Sequence, residues 1–146
     1  MTHHAQSRYN EAENTYRRVL DLSRAVGNRS FQFEAISGLG RLHQTTGRPT
    51  DALACHAQAL EIGQVAAQAR AHDGLARAHR AQGDAAQARM HWQQALGTLS
   101  VLGLEHTEDG WANAADIRGL LSWLPASWRE DAALPGEGRI SAGGAI

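Results

Sequence analysis

The sequence predicts an all-α fold built from antiparallel helix–turn–helix units stacked side by side, and three observations carry that prediction. The 146 residues are rich in alanine, with apolar residues at 42% and aromatics at only 5%, a composition suited to close-packed helices rather than to a sheet sandwich. A spacing recurs: Ala12 is followed by Tyr16, Val19 and Leu20, Ala52 by His56, Ala59 and Leu60, and Ala88 by Trp92, Ala95 and Leu96. Offsets of four, seven and eight place each set on one stripe of a helix. Finally, Gly47 and Gly83 close the stretches before the second and third sets, where a helix end calls for a residue at ease in the left-handed conformation.

Each element follows in order. The first set predicts a helix over 8–26. Upstream of the second set, Ile36, Leu39, Gly40 and His43 form a stripe that predicts a helix over 31–46; His72, Leu75, Ala76 and His79 repeat it and predict one over 66–82. Pro49 suits a first helical turn and opens a helix over 49–63. Asp84 is a good N-cap for a helix over 85–102. Thr107 is expected to cap a last helix over 108–124, with Glu108 and Asp109 at the positive end of its dipole, Trp111, Ala115, Leu121 and Leu124 as its apolar stripe, and Pro125 as its stop. The array is thus expected to fill 1–124: an orphan helix at 8–26, full units at 30–63 and 66–102, and a capping helix. From 125 to 146 the chain is expected to be a flexible tail, rich in Gly and small residues beyond Ala132.

The order of large, Leu, small and large residues, followed by Ala and a ring, resembles the tetratricopeptide repeat. That resemblance implies a short right-handed superhelical solenoid whose business is protein–protein recognition. His stands in for the aromatic at positions 43, 56 and 79, the helix-closing Pro is absent, and the units are longer than the usual repeat of about 34 residues. Units of this length, with the stretch Arg77-Ala78-His79-Arg80-Ala81-Gln82-Gly83-Asp84, resemble the C-terminal arrays of actinobacterial antibiotic-pathway regulators and STAND-type signalling ATPases. A protein partner in a scaffolding or regulatory role is the corresponding expectation.

Composition excludes several alternatives. All 14 basic residues are arginine, so a phosphate loop, which needs its Lys, and a Schiff-base nucleophile are both ruled out. The net charge of −1 gives no general pull toward nucleic acid or acidic lipid, and neither is expected as a partner; a weak nucleic-acid binder, its phosphates met by the line of Arg41, Arg77 and Arg80, is one alternative function. Cys55 is the sole cysteine, which fits a reducing compartment, and no apolar run has transmembrane length; a cytoplasmic protein is expected. Neither a catalytic residue nor a cofactor is predicted. His43, His56, His72 and His79 fall on core-facing stripes without the partner spacing of a zinc motif, so they are read as ring substitutes, with no metal. His72-Asp73 has a superficial likeness to HD-type metal-dependent hydrolases, which would be the enzymatic alternative.

Residues turned away from the core stripes of the first helices define a predicted groove: Glu34, Ser37, Arg41 and Gln44 from one unit, Arg70, Asp73, Arg77 and Arg80 from the next. Arg41 and Arg77 hold equivalent positions, and two aligned guanidiniums can take an anionic group of a protein or peptide partner. At the N-terminal end, the stripe of Ala12, Tyr16 and Val19 is expected to lack a covering helix, which suggests a homodimer contact there.

Overall fold

A computed structural model describes residues 2–107 and 112–124. Six helices follow one another among them: α1 (His3–Val26), α2 (Arg29–Thr45), α3 (Pro49–Ile62), α4 (Val65–Ala81), α5 (Ala85–Leu102) and α6 (Ala114–Trp123). Each helix packs on its chain neighbour, and α2 also meets α4 across the junction between units. No strand occurs among the described residues; the one β-type contact is an isolated antiparallel bridge between His106 and Asn113. The fold is therefore an all-α solenoid of stacked helix pairs.

Local chemistry sets the helix limits. Gly47 (φ 74°) and Gly83 (φ 81°) take the left-handed conformation, and each closing turn is tied by a bond across it, Arg48 N–H to the His43 carbonyl at 2.7 Å and Asp84 N–H to the His79 carbonyl at 2.9 Å. Asp84 caps α5 by accepting from Gln87 N–H at 3.1 Å, and Pro49 stands at the start of α3.

Two expected boundaries are corrected. The first helix begins at His3, not at Arg8, because the Thr2 hydroxyl accepts from Ala5 N–H at 3.1 Å and satisfies the first turn. The last helix begins at Ala114, with Asn113 as its cap, accepting from Asp116 N–H at 3.1 Å. Thr107 instead receives Ala112 N–H on its hydroxyl, while its own N–H reaches the Ala112 carbonyl. The late start also shifts the buried stripe: Ala114, Ile117 and Leu124 are buried while Ala115 is exposed. Glu108, Asp109, Trp111, Pro125 and the stretch 125–146 lie outside the described residues.

The core runs along the stack in two clusters. Leu20, Phe33, Ala35, Ile36, Leu39, Ala59 and Ala71 join α1 to α4, and Ala69, Ala76, Ala88, Trp92, Ala95, Leu99, Ile117 and Leu124 join α4 to α6. Alanine's abundance has its physical use here: small residues let backbones approach, and the few large side chains then fill the space between them. Trp92, Leu99 and Ile117 are wholly enclosed, each worth roughly 1.5–3 kcal/mol of apolar burial or more.

One packing device recurs. A Cβ on Gly38 of α2 would lie 2.5 Å from Tyr16 Cζ of α1, and one on Gly74 of α4 would lie 2.5 Å from His56 Cε1 of α3. Gly38 and Gly74 are equivalent positions, as are Tyr16 and His56. α1 therefore meets α2 as α3 meets α4, through a ring seated on a glycine. The expectation that Tyr16 lacks a covering helix is corrected: α2 covers it.

Candidate functional site

The faces of α2 and α4 turned from the core converge on one cavity of about 410 Å³, lined by Ser37, Arg41, Gln44 and Thr45 of α2, by Arg70, Asp73, Gly74 and Arg77 of α4, and by His56 of α3. Six of the eight predicted groove residues meet there. The other two are placed elsewhere. Glu34 lines a neighbouring cavity of about 340 Å³ together with Arg29, Phe33 and Arg70, and Arg80 extends over the Trp92 ring, 5.4 Å from its centre.

Arg70 separates the two cavities. Its guanidinium is nearly enclosed, with 6% of the side chain exposed, and lies over the Phe33 ring at 5.0 Å. Glu34 binds it bidentately at 2.8 and 3.3 Å across the junction between units. A buried guanidinium needs such a partner, because an uncompensated charge in a dry site is costly.

Asp73 is the hub of the second unit. Both carboxylate oxygens accept from Arg77 Nε, at 3.0 and 3.1 Å, and Oδ1 also accepts from the indole N–H of Trp92 at 2.9 Å. Arg77 engages Asp73 through Nε, and its terminal amino groups form no hydrogen bond among the described residues.

His56 forms the polar floor. It is wedged between α2 and α4: a Cβ on Gly40 would stand 2.6 Å from its Cε1, on the side away from Gly74. Its Nε2 lies 2.8 Å from Gln44 Oε1, and its Nδ1 is buried with no hydrogen-bond partner among the described residues, as is the Ser37 hydroxyl. Burial, reinforced by Arg41, Arg70 and His43, pushes the imidazole down to about 4, so the ring is neutral at physiological pH and an N–H at Nε2 donates to Gln44.

A second histidine group lies on the far side of α4. His72 and His79, two turns apart, flank His91 of α5: ring centres are 5.2 Å apart for His72–His91 and 5.5 Å for His79–His91, and the Nδ1 atoms of His72 and His91 are 3.0 Å apart. Burial, with the neighbouring rings, holds His91 down to about 4, and burial lowers His72. Among the described residues, no three His, Cys, Asp or Glu side chains gather in a way that could hold a metal ion. His72 and Asp73, adjacent in sequence, turn to different partners: His72 to His91, Asp73 to Trp92 and Arg77. Cys55 is half-buried, and burial raises its thiol above the usual range, the opposite of an activated nucleophile.

On α1, Tyr16 packs against Gly38 and Ala12 is half-buried, whereas Val19 is 39% exposed. Leu22 at 63% and Val26 at 77% continue the exposed apolar surface toward the end of the helix.

Residues 1–64 match the family model of the tetratricopeptide repeat. The match spans α1, α2 and α3. That portion is similar to the tetratricopeptide repeat. With α4 and α5 repeating the geometry of α2 and α3, the whole stack is a tetratricopeptide-like solenoid. Repeats of this kind generally mediate protein–protein interaction and are typically not enzymes. Neither the curated proteins nor the solved structures offer a match to the chain. No described helix is long and apolar enough to cross a membrane.

Sequence reasoning missed three of these features. The Glu34–Arg70 bond, the Asp73–Trp92 bond and the place of His91 between two other histidines all join residues from different helices. Periodicity assigns residues to faces but does not say which faces touch.

Proposed function

We propose that the chain is a cytoplasmic protein-recognition module, in a scaffolding or regulatory role, that grips a protein or peptide partner by an anionic group along the α2–α4 surface. The single observation behind this reading is that Arg41 and Arg77, one from each unit, line the same cavity. Three guanidiniums and one carboxylate line it, an excess of positive charge in a chain whose net charge is −1. Paired guanidiniums favour carboxylate and phosphate groups by charge and by the fork geometry of their N–H donors. Glu34, Ser37, Gln44, Arg70, Asp73 and Arg80 complete the surface in this reading, Glu34 and Arg70 by fixing the lower wall and Arg80 by extending the basic line over Trp92. The unit length and the 77–84 stretch support an origin in the sensor array of a larger signalling or transcriptional regulator.

Affinity capture with wild-type chain and with an Arg41→Ala/Arg77→Ala variant tests the proposal. The wild type should retain a partner that the variant loses, with both giving the same helical circular dichroism. A thermal melt accompanies the comparison, because Arg77 also braces Asp73. A partner retained equally by a folded variant removes the arginines from the reading.

A further inference from the structure

Two ties hold α5 against α4. On the side of the cavity, the Trp92 indole N–H donates to Asp73, and Arg80 covers the ring. On the other side His91 stands between His72 and His79, stacked on them at 5.2 and 5.5 Å. The first tie contains no imidazole; the second is made of nothing else. Only the second unit is built this way. At an offset of 36 residues, the α2–α3 seam carries Ile36, His43 and Cys55 in the places of His72, His79 and His91.

The geometry of the histidine tie limits its charge. His72 Nδ1 and His91 Nδ1 are 3.0 Å apart, a hydrogen bond that needs one proton between two nitrogens. Neutral rings supply it when one is protonated at Nδ1 and the other at Nε2. With both rings charged, two N–H groups would point at each other and the bond would become a repulsion. His79 lies nearly parallel to His91, with 4° between the ring planes, so a charge on it faces the same ring. His72 is 9% exposed, and His79 Nδ1 is buried without a hydrogen-bond partner among the described residues. Water therefore does little to spread such charges.

The charged groups on the neighbouring elements are engaged elsewhere or exposed. On α4, Asp73 pairs with Arg77, and Arg70 pairs with Glu34 of α2; Arg41 of α2 lines the cavity. On α3, His56 bonds to Gln44, and Asp51 and Glu61 are exposed. Arg89 of α5 lies two residues before His91, about 200° around the helix. On α6, Arg118 pairs with Glu105, and Asp116 is exposed in the first turn. Burial, then the charges of His72 and His79, lower His91 to about 4, and burial lowers His72.

We propose that the three histidines form an acid-sensitive catch: while neutral they hold α5 to α4, and as protons bind they release α5, with α6 packed on it, from the rest of the stack. The catch is distinct from the recognition surface but reaches it through Asp73, whose Trp92 donor leaves with α5. A released imidazole takes its proton near 6.5, whereas burial in the closed seam holds His91 to about 4. The catch is therefore fully closed above 6.5 and weakens as pH falls towards 4. Each proton taken up on release raises the opening constant about tenfold per pH unit within that window.

Two measurements on the full chain test this. Long-range ¹H–¹⁵N correlation of the histidine rings at neutral pH should show one of His72 and His91 protonated at Nδ1 and the other at Nε2, and His91 should titrate near 4. Amide hydrogen exchange, corrected for the intrinsic effect of pH, should show α5 and α6 losing protection by about tenfold or more as pH falls from 6.5 to 5. Helices α2 and α3, whose seam lacks the cluster, should change less. His91→Phe keeps a ring between His72 and His79 that takes no proton, and should remove the difference between the seams. His72→Gln still donates to His91 Nδ1 without titrating; it should shrink the difference as well, and serves if phenylalanine disturbs the packing. Two rings of one tautomer, a His91 that titrates near 6.5, exchange that rises equally in all helices, or an undiminished difference in both variants overturns the inference.

Discussion

Gly74→Ala probes the contact that joins the two units. A Cβ at 74 would stand 2.5 Å from His56 Cε1 and 2.7 Å from Cγ, against about 3.5–4.0 Å for carbon atoms at their optimal separation. The ring must therefore move by roughly 1 Å. It has nowhere to go on the other side, where a Cβ at Gly40 would already be 2.6 Å away. Overfilling a packed interior costs about 1–3 kcal/mol, and turning the ring also strains the bond between Nε2 and Gln44, worth about 0.5–1.5 kcal/mol. Against this stands the helix preference for Ala over Gly, about 0.8–1.0 kcal/mol. The net expectation is a loss of about 1–3 kcal/mol. Gly97, inside α5, is the control: nothing lies within 4 Å of a Cβ there, so Gly97→Ala should gain roughly 0.8–1.0 kcal/mol from propensity alone. Urea denaturation followed by circular dichroism at 222 nm measures both. A Gly74→Ala chain as stable as Gly97→Ala, or more stable than wild type, refutes the wedge. A double-mutant cycle with His56→Ala should show the two sites coupled, since removing the ring removes the clash.

Three further expectations are open to measurement. Unfolded His56 titrates near 6.5 but in the folded chain near 4, so between these values the unfolded state holds more protons and stability falls as pH drops through that window; His56 accounts for on the order of 3 kcal/mol at most, half-exposed His91 adds less, and a urea midpoint that stays flat from pH 7 to 4.5 contradicts this. Glu34→Ala takes a bidentate partner from the enclosed Arg70 guanidinium and should cost about 1–2 kcal/mol, whereas Glu13→Ala breaks a surface pair with Arg17 worth about 0.3–0.5 kcal/mol; equal shifts in thermal melts would show that Arg70 does not depend on Glu34. Self-association through α1 should now centre on Val19 and its exposed neighbours Leu22 and Val26 rather than on Tyr16, so Leu22→Glu should dissociate a dimer in sedimentation at high concentration, and a wild type that stays monomeric there removes the contact.

Much of the fold was legible because its signals are local. The stripes after Ala12, Ala52 and Ala88 need only a spacing of four and seven, and Gly47, Gly83, Pro49 and Asp84 act within a few residues of where they stand. The boundaries that moved depend on bonds that spacing does not encode. Thr2 caps a helix that opens on two histidines, and Asn113, bridged to His106, caps a helix that opens only at Ala114. The six groove residues that converge were legible for the same reason as the stripes, since one helical face repeats in two adjacent helices. Glu34 and Arg80 departed because each found a partner outside that face, Arg70 across the junction and Trp92 beneath it.

The ring-on-glycine contact lies between these extremes and explains why the repeat tolerates such different rings. Tyr16, His56 and Trp92 occupy one position in the pattern, and the first two each rest where a glycine of the following helix leaves room. The glycine admits the ring's bulk, while the polar atom that each ring carries must be answered locally. Trp92 has one N–H, and Asp73 answers it completely. His56 has two ring nitrogens, of which Gln44 answers one. Replacing the indole by an imidazole and the aspartate by a serine therefore leaves the stack of helices intact while opening a polar space between α2 and α4. Apolar packing alone gives no reason to keep that space polar, because an alanine at 37 and a phenylalanine at 56 would suit the same stripes without leaving buried atoms unpaired. The cost is borne in the unit where the cavity opens, at Ser37 and His56.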